Sequence, residues 1–223
     1  MILEPIRPKI LSVQRIPDAH EALLRSYGAD PTVHHSLGLV TCDQDDSTYV
    51  ALDEATKHSP VDVVYARSFY AGAAHSSGPL SGEILGVIAA SGPEEIEEGL
   101  RALVGCLEHD ACFYSGDERG ETALFPHVIT SLGEYLSKEA GLNPGDPMAY
   151  LVAPPMEGTL GIDRALKEAN VRAVKIFGPP TETNYCAAWL TGALAECEAA
   201  ASAFAEAVIQ VARTPQSRLS ELS

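Results

Sequence analysis

The second half of this sequence repeats the order of the first. Asp53–Lys57 (DEATK) is followed by Val61–Val64 (VDVV), and at an offset of 110 Asp163–Lys167 (DRALK) is followed by Val171–Val174 (VRAV). The aspartate, an alanine, the lysine and two valines recur in register. A repeat of this length means that one supersecondary unit has been written twice, and both copies must bury the same faces. In the first copy, Leu37–Thr41 reads as a buried strand, a short helix follows from about Leu52, and Val61–Tyr65 and Ile84–Ala90 read as strands. Gly92-Pro93-Glu94-Glu95 then opens a long helix, with proline in the first turn and acids at its positive end. That helix carries Ile96, Leu100, Leu103 and Leu107 on one face.

The second copy reads the same way. Ala149–Ala153 is a strand, Gly161–Ala169 a helix, and Val171–Phe177 and Cys186–Leu190 are strands. A closing helix carries Cys197, Ala201, Phe204 and Val208 at the spacing of the first stripe, now offset by 101. The drop from 110 to 101 makes the loop of the first copy nine residues longer. A further helix is expected before each central strand, near Asp18–Tyr27 and near His127–Ala140. The boundary between copies falls close to Asp110, giving domains 1–110 and 111–223. Sheets flanked by amphipathic helices make an α/β fold, an α+β sandwich, and each copy is long enough to hold a core.

Charge and cysteine content narrow the function. Formal charge is −16 with only 15 basic residues. Nucleic acid is therefore not expected as a partner, because phosphate binding needs a positive face. No stretch approaches 18 uninterrupted apolar residues, so no membrane span is expected. Met1–Val13 lacks a signal-peptide apolar core, which points to the cytoplasm. Cys42, Cys106, Cys112, Cys186 and Cys197 form no C-x-x-C pair and read as plain thiols rather than a disulfide or zinc framework.

A catalytic constellation is hard to find. There is no phosphate-cradling glycine loop, and Gly78–Gly82 (GPLSG) misses the nucleophile-elbow spacing by one residue. The seven histidines are dispersed. His34 and His35 are adjacent and so point apart, and only His75 lies in a long loop. No metal site and no cofactor are expected. Asp43, Asp45 and Asp46 cluster between a strand and the next element. Such acids hold a cation, tune one another's pKa, or simply serve as turn and cap residues. Arg67–Gly82, rich in small residues, and its stiffer counterpart Gly178–Tyr185 join strong strands, and long loops on rigid scaffolds tend to carry function.

Several stretches resemble one family. They are Ser36–Val40, Asp45-Asp46, Thr48-Tyr49, Asp53–Lys57, Val63–Tyr65, Tyr70–His75, Gly145–Pro155, Gly161–Asp163 and Thr181–Tyr185. Together they resemble the tandem-domain shell proteins of ethanolamine-utilisation bacterial microcompartments. The resemblance implies two circularly permuted microcompartment-shell domains and a pseudo-hexameric homotrimer. Such trimers are hexagonal tiles that pack edge to edge with copies of themselves and with other microcompartment shell proteins. It implies no enzyme activity. It further implies a gated central pore bordered by Ser68, Phe69, Tyr70, Ala71, Gly72, His75, Thr181, Glu182, Thr183, Asn184 and Tyr185. A smaller pore within each subunit would be lined by Asp45, Asp46, Glu83 and Phe113 and would take small molecules such as ethanolamine. A second reading makes the chain an amine-binding regulator that does not assemble.

Overall fold

The computed structural model describes residues 4–69, 77–117, 120–179, 181 and 184–216. In chain order the elements are β1 (Glu4–Ile6), β2 (Ile10–Ile16), α1 (Glu21–Ser26), β3 (Ser36–Cys42), α2 (Asp45–His58), β4 (Asp62–Ser68), β5 (Ile84–Ala90) and α3 (Pro93–His109). They continue with β6 (Phe113–Ser115), β7 (Ala123–Ile129), α4 (Glu134–Ala140), β8 (Met148–Ala153), α5 (Pro155–Glu168), β9 (Arg172–Phe177), β10 (Cys186–Thr191) and α6 (Leu194–Arg213).

The duplication is visible in strand order. A four-stranded sheet runs β2-β3-β5-β4, and a six-stranded one runs β1-β6-β7-β8-β10-β9. The last four strands of the second sheet repeat the order of the first. Every pairing is antiparallel. The chain divides into two compact units, and these are not the two halves of the sequence. One comprises Arg7–Cys112 with Leu132–Gly145, and the other Met1–Ile6, Phe113–Ser131 and Asp146–Ser223. The main break lies two residues beyond the expected boundary, and two segments are exchanged. Strand β1 pairs with β6 through Glu4↔Ser115, Pro5↔Tyr114 and Ile6↔Phe113.

In the first unit the sheet is covered on both faces. Gly86, beside Val40, lies beneath Leu52 of α2, and the α3 residues Ile96, Leu100, Leu103 and Leu107 are all buried. Each such side chain contributes about 1.5–3 kcal/mol relative to exposure. Leu37, Val87 and Ala89 form the opposite face and pack with Ala19, Leu24 and Ala29 around α1, flanked by Tyr27 and Tyr65. In the second unit Ala149, Leu151, Ala153, Ala188 and Leu190 face α5 and α6, where Ala165, Cys197, Ala200, Ala201, Phe204 and Val208 complete the core. Both stripes expected from the sequence are therefore buried.

Some expectations need correction. Ala123–Ile129 is a strand, so the helix expected near His127–Ala140 begins only at Glu134. Pro126 sits beyond the two residues of β7 that β6 covers, where a missing N–H is tolerated. Helices α2 and α5 start earlier than read, at Asp45 and Pro155. Acids suit the positive start of a helix and proline its first turn. The facing of side chains also shifts the loop difference. Gly38 and Val40 on one hand, and Ala149 and Leu151 on the other, point to their helices, which equates Cys42 with Ala153. Cys42 pairs with Ile84 and Ala153 with Cys186. The offset after the loop is then 102, and 110 − 102 makes the first loop eight residues longer, one fewer than read.

Helix α4 lies in sequence between β7 and β8 but belongs to the first unit, where the carboxylate of Asp53 anchors it. Asp53 is fully buried. Its Oδ2 accepts from Gly133 N at 2.7 Å and its Oδ1 from Leu136 N at 2.8 Å. Thr56 Oγ1 accepts from Glu134 N at 3.0 Å. A Cβ at residue 133 would stand 2.6 Å from Asp53 O, so only glycine fits this approach. Burial pushes the Asp53 carboxyl above the usual carboxylate range, against the pull of the two N–H groups and of Lys57.

Candidate functional site: an acidic helix start beside a hairpin neck

Strands β3, β4 and β5 of the first unit end together. Ile84 is the register partner of both Cys42 and Ser68. Helix α2 begins three residues after Cys42, and Glu83 immediately precedes Ile84, so Asp45, Asp46, Ser68 and Glu83 gather at one end of this sheet. The backbone there is tightly tied. Glu83 N donates to Cys42 O at 2.7 Å, and Phe69 N donates to Glu83 O at 2.6 Å. Gly82 makes the turn possible, with φ of 63° and no room for a Cβ, which would lie 2.2 Å from Cys42 O.

Asp45 and Asp46 are both buried, at 9% and 8% exposure. Two adjacent carboxylates out of water need compensation. The positive end of α2 supplies part of it. Asp45 Oδ2 accepts from Ser68 Oγ at 2.7 Å, and its Oδ1 from Asp46 N at 2.9 Å. Gln44 holds the turn from the other side: its Oε1 accepts from Ser47 Oγ at 2.8 Å and its backbone oxygen from Thr48 Oγ1 at 2.6 Å. Asp43 does not join them, because its Oδ1 accepts from Lys9 N at 2.6 Å at the approach to β2.

The cluster occurs once per chain. The counterparts of Asp45 and Asp46, 110 residues on, are Pro155 and Met156, and the residue before Cys186 is Tyr185 where Glu83 precedes Ile84. One copy has acids at this place and the other has none. Phe113 lies in the second unit, where its ring is 5.0 Å from that of Phe125 and 6.1 Å from that of Tyr185. The structure thus puts Phe113 with a residue of the second loop.

The two loops are the tips of equivalent hairpins, β4–β5 and β9–β10. Ser68 ends β4 and Phe69 forms its neck. Tyr70, Ala71, Gly72 and His75 lie outside the described residues, as do Glu182 and Thr183. In the second hairpin Asn184 N donates to Thr181 O at 3.1 Å and Thr181 N to Tyr185 O at 3.2 Å. Asn184 takes φ of 65°, the left-handed region that asparagine tolerates.

Ser68, expected only as a residue bordering the central pore, is also the partner of Asp45, a contact visible only once strand register is known. His34 is a nearly buried structural residue. Its Nδ1 accepts from Asp30 N at 3.1 Å, and its Nε2 is 2.8 Å from Asp62 Oδ2.

No protein-family model matches the chain. Known proteins do. The chain is 47% identical over 216 residues to the bacterial microcompartment shell protein EutL of Salmonella typhimurium, covering 97% of this chain and 98% of that one. It is 46% identical over 210 residues to EutL of Clostridium perfringens, covering 94% and 96%. The chain belongs to the EutL family of bacterial microcompartment shell proteins. Solved structures agree. EutL from Clostridium perfringens superposes with a TM-score of 0.94 at 45% identity, covering 99% of this chain and 100% of that one. The ethanolamine utilization protein EutL from Leptotrichia buccalis does so at 0.93 and 43%, covering 98% and 100%. The trimeric shell protein PduB, at 16% identity and a TM-score of 0.72 over 92% and 89%, shares the fold. The EutL relatives are shell proteins, and the chain is read as a shell protein rather than an enzyme.

Proposed function

We propose that three copies of this chain close into a pseudo-hexameric tile of the microcompartment shell. In this tile the six sheets of three chains alternate between the two copies of the unit. The observation that carries this reading is the repeated strand order β2-β3-β5-β4 and β7-β8-β10-β9 within one chain. A doubled unit lets three chains satisfy a six-fold arrangement while differing at every second position. Tiles of this kind pack edge to edge with themselves and with other shell proteins. The β4–β5 and β9–β10 hairpin tips border a central pore, and the longer first loop makes three of its six loops unlike the other three.

The acid cluster supports a second part of the proposal, a site for small amines such as ethanolamine. Ethanolamine is a cation at neutral pH, and Asp45, Asp46 and Glu83 converge at one sheet end. A single charge pair at about 4 Å contributes roughly 1 kcal/mol in water and about 4 kcal/mol at an effective dielectric of 20. That concentrates a cation without trapping it. Titration of the protein with ethanolamine by calorimetry, run beside sedimentation of the same sample, tests both parts. Trimers that bind the amine support the proposal. Binding by a stable monomer would make the chain an amine-binding protein without assembly.

A further inference from the structure

The repeated motif Asp53–Lys57 and Asp163–Lys167 has two fates in one chain. On α2 the face carrying Asp53 and Thr56 is covered by the segment 132–145. On the equivalent face of α5 no described segment lies over Leu160 and Asp163, while Leu166 packs partly against the core. Asp163 meets only Lys167, at 2.6 Å, among the described residues, with its side chain 58% exposed. Leu160 is 46% exposed and Met156 66%, whereas Val50, the counterpart of Leu160, is 3% exposed. Strand β9 of the same sheet leaves Ile176 54% exposed, whereas its counterpart Ala66 is half-buried.

The segment that covers α2 has its own counterpart. At an offset of 113, Leu132-Gly133-Glu134-Tyr135-Leu136 matches Ala19-His20-Glu21-Ala22-Leu23, and Lys138 matches Arg25. Gly141 matches Gly28, and both take positive φ, 64° and 83°. The first unit therefore shows one copy of a contact whose two halves both recur elsewhere in the chain: a receiving face on α5, and an inserting segment around α1 with Glu21, Ala22 and Arg25 exposed.

We infer that this face of α5, from Leu160 to Leu166 with Asp163 at its centre, receives the segment 19–29 of a second copy of this chain. The inference rests on the trimer reading and supplies its joint. The contact is head-to-tail, since inserting segment and receiving face are different surfaces, and such contacts generate rings when the rotation closes. The joint cannot be as tight as the one within the chain. His20 stands where Gly133 does, and a Cβ at residue 133 would meet Asp53 O at 2.6 Å. His20 brings its own donor instead. Its Nδ1 accepts from Ala22 N at 3.1 Å, which leaves its Nε2–H to donate to the partner's carboxylate at Asp163.

The test follows the contact already seen. Glu134 N lies 3.0 Å from Thr56 Oγ1, and the counterparts of these residues are Glu21 and Leu166. Chains carrying only Glu21→Cys are co-expressed with chains carrying only Leu166→Cys and treated with a short bis-maleimide. The five native cysteines are buried, so background is low. Covalent dimers from the mixed population and not from either chain alone are expected, and the double variant should yield covalent trimers on a denaturing gel. Wild-type chains that sediment as trimers while the mixed population stays uncrosslinked would overturn this joint and leave the trimer standing. Wild-type chains that sediment as monomers would remove both.

Discussion

Asp53→Asn is the sharpest perturbation that the fold offers, because it changes one atom type at a buried site with defined partners. The carboxylate takes two backbone N–H groups, Gly133 at 2.7 Å on one oxygen and Leu136 at 2.8 Å on the other. Asparagine keeps one acceptor oxygen and turns an NH2 toward the second N–H. One hydrogen bond to a charged acceptor, about 1.5–3 kcal/mol, is lost, and a donor is left facing a donor. A loss of about 2–4 kcal/mol is therefore expected. Asp53→Ala abandons both N–H groups and leaves a cavity, so its loss should be larger still. The control is Asp163→Asn at the same place in the repeat. There the carboxylate makes an exposed ion pair with Lys167, worth about 0.5 kcal/mol or less to the unfolding of the chain itself. Urea unfolding gives the totals, and amide hydrogen exchange at Gly133 and Leu136 gives the local effect. If Asp53→Asn unfolds within about 0.5 kcal/mol of wild type and both amides stay protected, the role given to Asp53 in holding α4 is wrong.

Other predictions concern single groups. Gly133→Ala should destabilise the chain by about 1–3 kcal/mol, since the new Cβ must displace Asp53 O, and thermal unfolding will read it. Burial pushes the Cys106 thiol up to about 12; maleimide at neutral pH should leave it unlabelled in native protein and label it in urea. Tyr135 is held above the usual tyrosine range, mainly by burial and then by Glu139 and Asp53. Because that shift favours the neutral phenol in the folded chain, its contribution to stability is present up to the ordinary tyrosine pKa and is lost as pH rises further. Absorbance titration should find one tyrosine ionising only at higher pH than the rest. Asp45→Asn and Glu83→Gln should each weaken ethanolamine binding several-fold at low salt, with the difference shrinking as salt screens the charges.

Much of the fold was legible because it is written twice. The stripes Ile96–Leu107 and Cys197–Val208 follow helical period, and the strands Leu37–Thr41 and Ile84–Ala90 are short β-branched or apolar runs bounded by turns. Apart from β7, whose apolar run is interrupted by Pro126, the strands that were missed do not look like strands. Residues of β2 are mostly half-exposed or exposed, and β1 and β6 have three residues each, so periodicity has nothing to register. The exchange of segment 132–145 was equally hidden. Asp53 and Asp163 sit in the same motif, and only the packing of α4 tells the buried one from the exposed one. The acids Asp45 and Asp46 stood out as a cluster, yet their partner Ser68 was reachable only through the pairing of β3, β4 and β5. The exclusion of Asp43 likewise depends on where Lys9 N lies.

The most direct test of the account is the mass of the assembly in solution, by native mass spectrometry or sedimentation equilibrium, followed by electron microscopy of concentrated samples. The account predicts trimers that pack into flat hexagonal sheets. A chain that remains monomeric at concentrations where it is folded, or that closes into any ring other than three, would contradict it.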